Sequence, residues 1–169
     1  MTKEKNTFNV FLLFLFLHAM AWTLIPSLSN INLPLDTIEA LAWSSNLQWG
    51  FLKHPPLSGF AVEAVYRLLG NQDWAYYLLS QIFILSSFVI IWVFSKDFFK
   101  SQTSRLISIL LLEGIYFYNY TSPEFNVNVC QIPFWSLSVL FLWKGIKENK
   151  LSDWILFGIF AAFGVLSKY

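Results

Sequence analysis

The chain has 169 residues, of which 56% are hydrophobic, 20% are aromatic and only 12% are charged. Ordinary soluble domains carry about one quarter charged residues, and a domain of this size has no interior that would hide so much apolar surface, so its solvent must be lipid. The net charge of +1 gives no indication of nucleic-acid binding and no basic cluster suggests it, so we expect no nucleic acid as a partner. We therefore expect an all-α integral membrane protein that contacts membrane lipids.

Apolar runs predict about five transmembrane spans. We place them at residues 8–25, 74–94, 105–119, 129–143 and 153–169. Two lysines, Lys3 and Lys5, precede the first run, which is long, rich in phenylalanine and without a clean cleavage site. We interpret it as an uncleaved span rather than a signal peptide. His18 in the first run and Cys130 in the fourth are interpreted as packed core side chains.

A long polar and aromatic segment, residues 27–73, separates the first two spans. Its pattern predicts an amphipathic helix over residues 36–48, with Asp36 or Thr37 as its cap. A second helix is predicted over residues 57–69, since two prolines precede it and a glycine follows it. This helix is short for a span, so we assign it to the membrane interface.

Basic residues determine the expected orientation. They lie in the N-terminal segment and in the loops at residues 95–105 and 144–150. The positive-inside rule places all three segments in the cytoplasm. An even number of crossings must then separate the N-terminus from the first of these loops, which leaves the helix at 57–69 on the far surface. The 27–73 loop and a polar patch at 119–128 consequently share the non-cytoplasmic face.

Two acids and two bases form the strongest candidate cluster. Asp36 and Glu39 lie three residues apart, so both carboxylates share one face of the predicted helix. They are either a capping acid with a solvated neighbour or a general base, alone or with a metal partner. Lys53 and His54, followed by two stiffening prolines, are either a snorkelling pair at the interface or contacts to a leaving phosphate.

Aromatic and amide side chains complete the candidate site. Trp43 and Trp49 are either headgroup anchors or stacking surfaces for a sugar or a lipid chain. Glu124, Asn126 and Asn128 are either loop caps or groups that orient sugar hydroxyls or complete a cation site. The sequence contains no phosphate-binding loop, dinucleotide fingerprint or zinc motif. We expect no tightly held cofactor, and a divalent cation stays an alternative.

Three segments, LDTIEALAW, WGFLKHPPL and FYNYTSPEFNVNVCQIPFWSL, and the final GVLSKY resemble the N-terminal third of GT-C glycosyltransferases. The chain is similar to the family-39-like members that use undecaprenyl-phosphate sugars, including lipid A galacturonosyltransferase-like and aminoarabinose transferase-like proteins of bacteria. The resemblance implies a GT-C bundle of transmembrane helices with interfacial helices in the first periplasmic loop. It also implies that a further part follows Tyr169 and that the present part alone is inactive.

The resemblance implies a role for several candidate residues. The acid of the first loop is the catalytic carboxylate and corresponds to Asp36, with Glu39 beside it. Relatives usually carry an acid after the third span, where this chain has Asn128 and, nearby, Glu124. The implied donor-phosphate contacts are Lys53, His54 and Lys168.

The implied function is inverting transfer of a sugar from a polyprenyl-phosphate donor to a lipid A-type lipid or another envelope glycan. It would take place on the periplasmic face of the bacterial inner membrane, with the N-terminus in the cytoplasm. A protein O-glycosyltransferase of the same fold and a transporter or flippase subunit are the alternatives. Transporters place ionisable groups near the membrane midplane, whereas the charges here collect in the 27–73 loop, which favours the enzyme.

Overall fold

The computed structural model describes residues 2–168, with side chains from Asn6 onward. Within that range the chain is helical and contains no strand, which confirms the predicted all-α fold. The side chains of Lys3 and Lys5 and all of Tyr169, used in predicting the first and last spans, lie outside the described residues. The α-helices are α1 (Thr2–Ser29), α2 (Leu35–Ser44), α3 (Leu57–Leu69), α4 (Asp73–Phe94), α5 (Gln102–Leu110), α6 (Val127–Glu148) and α7 (Leu151–Ser167).

Three stretches of the described chain are helical, long and apolar enough to cross a bilayer: Asn6–Ser29, Asp73–Asp97 and Val127–Glu148. The 22 residues of α6 extend about 33 Å at 1.5 Å per residue, which matches a hydrocarbon core of about 30 Å. The last helix, α7, is apolar but has only 17 residues. Helix α4 packs between α1 and α6, and α6 packs along α7. The protein is thus a multi-pass membrane protein.

The core between α1 and α4 is aromatic. Phe11 stacks on Trp92 with ring centroids 4.4 Å apart, and the fully buried Phe88 stacks on Tyr118 at 5.3 Å. The Arg105 guanidinium lies 4.1 Å over the Trp92 ring and donates to the Trp92 carbonyl at 2.8 Å. The same carbonyl, in the last turn of α4, also accepts from the Ser95 hydroxyl at 2.9 Å, so two side chains cap this end of the helix.

Polar contacts connect loop residues at each of the two ends of the bundle. At one end, Asp97 accepts hydrogen bonds from Lys147 at 3.1 Å and from the Trp143 indole at 2.7 Å. At the other end, the Asn30 amide donates to the Tyr77 hydroxyl at 3.1 Å. The two basic loops thus meet, as their assignment to one membrane face requires, and their cytoplasmic location stays a prediction.

The run at 105–119, predicted as one span, is not a single α-helix. Helix α5 ends at Leu110, and two 3-10 turns, Leu111–Gly114 and Tyr116–Tyr118, carry the chain onward. Apolar composition indicates a membrane environment, but it does not determine which backbone hydrogen-bond pattern the chain adopts there. Whether this run crosses the bilayer stays a prediction.

An ionisable pair lies beside this break. The imidazole Nδ1 of His18 lies 2.7 Å from Glu113 Oε1, and His18 is buried. Its ring also meets Phe88 edge-on at 5.3 Å. His18 is therefore a packed side chain, as expected, and Glu113 is its acidic partner. Ionisable groups at membrane depth are costly unless paired, and the 3-10 turn brings Glu113 within reach.

Helix α2 is shorter than predicted and starts differently. It covers Leu35–Ser44 rather than residues 36–48, and its N-cap is Pro34, which makes no side-chain cap hydrogen bond. The prediction that Asp36 or Thr37 caps this helix is wrong. The reason is tertiary: both residues already lie inside the first turn, and their hydrogen bonds go to a distant segment described below.

Helix α3 has the predicted bounds, Leu57–Leu69. Pro56 precedes it, and Gly70 ends it with φ of 74°, a conformation that favours glycine. It contacts α2, α4, α6 and α7. These contacts place the start of α3 beside α2 and the start of α6, where the candidate residues gather.

Candidate functional site

Two hydrogen bonds fasten the start of α2 to the segment that precedes α6. The Asp36 backbone N–H donates to Glu124 Oε1 at 3.1 Å, and the Thr37 hydroxyl donates to the Phe125 carbonyl at 3.1 Å. The first N–H groups of a helix have no partner within the helix. Glu124 supplies an acceptor for one of them and so replaces the local cap that α2 lacks. It therefore determines the position of Asp36.

The acids of α2 line a small cavity with a mixed polar and apolar wall. Its volume is about 10 Å³, which holds about one water-sized group. The common face that the spacing of Asp36 and Glu39 predicts is present, because both residues line this cavity. The complete wall consists of Asp36, Glu39, Ala40, Trp43, His54, Ser58, Asn126 and Val127.

The two carboxylates differ in their partners. Glu39 accepts hydrogen bonds from Lys53 Nζ at 2.9 and 3.2 Å. The bond to Glu39 is the main reason that the pKa of Lys53 rises above its usual value, and desolvation opposes the rise. The Asp36 carboxylate has no hydrogen bond or ion pair with any described residue. Asp36 is therefore the acid that is available to a ligand. Among residues 6–168, no group of three or more His, Cys, Asp or Glu side chains is placed to hold a metal ion.

An aromatic stack holds His54 at the cavity wall. Trp43 stacks on Phe51 with ring centroids 5.6 Å apart and meets the His54 ring at 5.5 Å. The Phe51 N–H donates to the His54 carbonyl at 3.0 Å and closes the turn before the two prolines. A Cβ at Gly59 would lie 2.9 Å from the Phe51 ring, so α3 approaches this stack closely. Phe51 thus occupies one face of Trp43.

Amide side chains organise the neighbouring start of α6. Asn126 Oδ1 caps the helix by accepting from the N–H groups of Asn128 at 2.9 Å and Val129 at 3.1 Å. The Asn128 side chain accepts from Lys168 Nζ at 2.7 Å. Gln131 donates to the Lys168 carbonyl at 2.9 Å and so ties the end of α7 to α6. The interpretation of Asn126 as a loop cap is correct, and the residue also lines the cavity.

Several predicted site residues lie outside the cavity wall. Trp49 is 84% exposed and packs edge-on against Phe60 at 5.7 Å. Lys53 hydrogen-bonds the wall residue Glu39, and Lys168 bonds Asn128 near the capped start of α6. The residues outside the wall are Trp49, Lys53, Glu124, Asn128 and Lys168.

A larger groove of about 430 Å³ lies against the start of α2. It is lined by Pro34 and Glu124, and by the aromatic side chains of Trp22, Tyr116 and Tyr120. Glu124 therefore borders this groove while its carboxylate holds the backbone of Asp36. That hydrogen bond joins a residue of the cavity wall, Asp36, to a residue of the groove, Glu124.

Two polar residues are missing from the sequence-based candidates. Ser58 is fully buried, lines the cavity and has no hydrogen-bond partner for its hydroxyl. No sequence signal marks it, because serine is common near the start of helices. Glu113 did have a signal, since a lone acid within an apolar run needs a partner and another run contains His18.

A family model matches the greater part of the chain. It describes dolichyl-phosphate-mannose-protein mannosyltransferase and covers residues 53–169, which include His54, Ser58 and Asn126 of the cavity wall. The match begins after Asp36 and Glu39. No curated protein and no solved structure matches the chain. The resemblance to GT-C glycosyltransferases is confirmed at this level: the chain belongs to the dolichyl-phosphate-mannose-protein mannosyltransferase family and is a membrane glycosyltransferase of the GT-C kind.

Proposed function

We propose that the protein transfers a sugar from a polyprenyl-phosphate donor to an acceptor hydroxyl, on the periplasmic face of a bacterial inner membrane. The observation that carries this proposal is Asp36, which lines a small cavity and whose carboxylate has no hydrogen bond or ion pair with a described residue, in a chain of this family. A general base must lie within reach of the proton that it removes. A phosphate is already a good leaving group, so such a reaction needs one base and positive charge near the phosphate.

The proposed step is a single displacement. Asp36 accepts the proton of the acceptor hydroxyl while the hydroxyl oxygen attacks the anomeric carbon of the sugar. The bond from that carbon to the phosphate oxygen breaks, and its electron pair leaves with the polyprenyl phosphate. One displacement inverts the anomeric configuration. Glu39 supports the step by holding Lys53 beside the cavity.

Three basic residues are proposed to hold the leaving phosphate. His54 lies on the cavity wall, Lys53 is bound to a carboxylate, and Lys168 is bound to the neutral amide of Asn128. An amide oxygen competes with phosphate less strongly than a carboxylate does, because charge-assisted hydrogen bonds are the stronger ones. Lys168 is therefore the lysine that turns to the phosphate most readily.

A lipid A-type lipid or another envelope glycan is the proposed acceptor. The groove beside Glu124 supports a lipid-borne substrate, because aromatic side chains line it next to the small cavity. A protein acceptor is the second candidate, since the matching family is described as protein mannosyltransferase. Both acceptors present a hydroxyl group, so the same base serves either reaction.

A transfer assay in proteoliposomes tests the proposal. The full-length protein is supplied with a polyprenyl-phosphate donor labelled in its sugar. We expect the label to move to an added acceptor and polyprenyl phosphate to be released. Parallel reactions with a lipid A-type lipid and with a serine- and threonine-rich peptide separate the two acceptor classes. Movement of the intact donor across the bilayer without cleavage would contradict the proposal and support a flippase.

The proposed orientation predicts which engineered cysteines react from outside. Ser45 is exposed directly after α2, whereas the native Cys130 is fully buried and gives little background. We expect an impermeant maleimide to label Ser45→Cys in spheroplasts. The matched control is Ser101→Cys, at the exposed start of α5, which should react only after permeabilisation. The reverse pattern would overturn the orientation.

A further inference from the structure

Ser58 has a hydroxyl group that the fold itself does not use. It is the second residue of α3, its side chain is fully buried, and its Oγ has no hydrogen-bond partner. Buried polar groups are nearly always hydrogen-bonded, and one that is not calls for an explanation. The residue lines the cavity that Asp36 also lines. The unused hydroxyl is therefore placed to bind a ligand there.

The size of the cavity limits what this ligand group is. The volume of about 10 Å³ admits about one water-sized oxygen. A whole phosphate or sugar ring is too large for it, but a single hydroxyl group that projects from a sugar or a lipid headgroup fits. Trp43 and Asn126 also line the cavity, and both are held by packing or capping contacts.

The charges on the cavity wall favour a ligand group without net charge. Asp36 and Glu39 bring two carboxylates to the cavity, and the lysine that interacts with both, Lys53, forms its ion pair with Glu39. An anionic oxygen here would face two carboxylates, and like charges repel. A hydroxyl group has no net charge and both donates and accepts hydrogen bonds. The partial positive charge at the start of α3 favours an oxygen lone pair on the Ser58 side.

We propose that Ser58 and Asp36 together bind one neutral hydroxyl group of a substrate. The Ser58 hydroxyl donates a hydrogen bond to the oxygen of the substrate hydroxyl. The substrate hydroxyl in turn donates a hydrogen bond to the Asp36 carboxylate. The oxygen keeps a second lone pair, so a hydroxyl held in this way is still able to attack a carbon atom. This inference rests on the proposed function and adds Ser58 to it as a substrate-binding residue. The hydroxyl belongs either to the acceptor or to the sugar of the donor.

The variant Ser58→Ala tests this in the full-length protein in proteoliposomes. Removing a hydroxyl without a protein partner should leave the Tm unchanged or raise it, because the unsatisfied group disappears. Sugar transfer should nevertheless weaken by about tenfold, the usual effect of losing one substrate hydrogen bond. If the acceptor supplies the hydroxyl, the KM for the acceptor rises and the KM for the donor does not. If the donor sugar supplies it, the KM for the donor rises instead.

The matched control is Ser80→Ala in α4. Ser80 is also fully buried with an unpartnered hydroxyl, but it does not line the cavity. It should change neither KM. Wild-type kinetics for Ser58→Ala, or the same loss for Ser80→Ala, would overturn the role of Ser58.

A binding measurement keeps this inference separate from the proposed function. The Tm of the wild-type protein and of Ser58→Ala is measured against increasing concentrations of the donor and of a lipid A-type lipid. A weaker Tm response of Ser58→Ala to one of them supports the role of Ser58, even if the wild-type protein transfers no sugar. Absence of sugar transfer by the wild-type protein would contradict only the proposed function. Equal responses of both proteins to both lipids would contradict the role of Ser58.

Discussion

The variant Asp36→Asn should lose sugar transfer by about 10³-fold, because an amide of the same shape accepts no proton and general bases contribute about 10²- to 10⁴-fold. Folding should hardly change. The Asp36 carboxylate has no hydrogen bond or ion pair with a described residue, and the bond from its backbone N–H to Glu124 does not depend on the side chain. Asp36→Asn also removes a negative charge from the positive N-terminal end of α2, and this loss should lower the free energy of unfolding by less than about 1 kcal/mol. Transfer rates and Tm values of both proteins provide the measurement.

Two further variants show whether this loss is specific to the position. Asp73→Asn removes an exposed acid from the first turn of α4, away from the cavity, and should keep the wild-type rate. Glu39→Gln should reduce transfer far less than Asp36→Asn, because Glu39 is engaged with Lys53. If Asp36→Asn retained most of the activity, or if Glu39→Gln were the more damaging change, the base assigned here would be wrong.

Replacement of Glu124 should separate a positioning role from a catalytic one. In Glu124→Ala the Asp36 N–H loses its acceptor, which should cost about 1 kcal/mol, as for other helix caps. The start of α2 then shifts, and a displaced catalytic group lowers the rate by about 10²-fold. We expect the lower rate together with a lower Tm. Because Glu124 also borders the groove, KM values for both substrates belong in the measurement.

The variant Glu124→Gln gives the comparison that decides between these roles. Glutamine keeps an oxygen that accepts the Asp36 N–H, so a positioning residue tolerates the change and most activity should persist. A second catalytic carboxylate would not tolerate it, and Glu124→Gln would then be as slow as Glu124→Ala. Equal loss in the two variants, with the wild-type Tm kept in Glu124→Gln, would show that the negative charge itself is required.

The family match and the candidate base lie in different parts of the chain. The match begins at Lys53, whereas Asp36 lies on α2 before it. The contacts that hold Asp36 nevertheless come from inside the match, since Glu124 and Phe125 fasten α2. The position of the proposed base therefore depends on matched residues that lie 88 positions further along the chain.

Local chemistry is what the sequence by itself determined. Apolar composition identified a membrane protein, because the interior of a soluble domain of this size is too small to bury so many aromatic and aliphatic side chains. The bounds of α3 were predictable because proline before a helix and glycine after it restrict the backbone directly. The common face of Asp36 and Glu39 followed from helical spacing alone. Each of these depends on residues that are close together in the chain.

Contacts between distant residues were decided only by the tertiary structure. The chain leaves α-helical geometry after Leu110 beside the pair of Glu113 and His18, and no pattern within the apolar run specifies that break. The cap of α2 comes from Glu124 rather than from Asp36, and the cavity wall gains Ser58 from α3. Hydrogen bonds and cavities form between elements whose relative positions result from packing of the whole bundle. Sequence spacing therefore identified the candidate base, and the fold determined its neighbours.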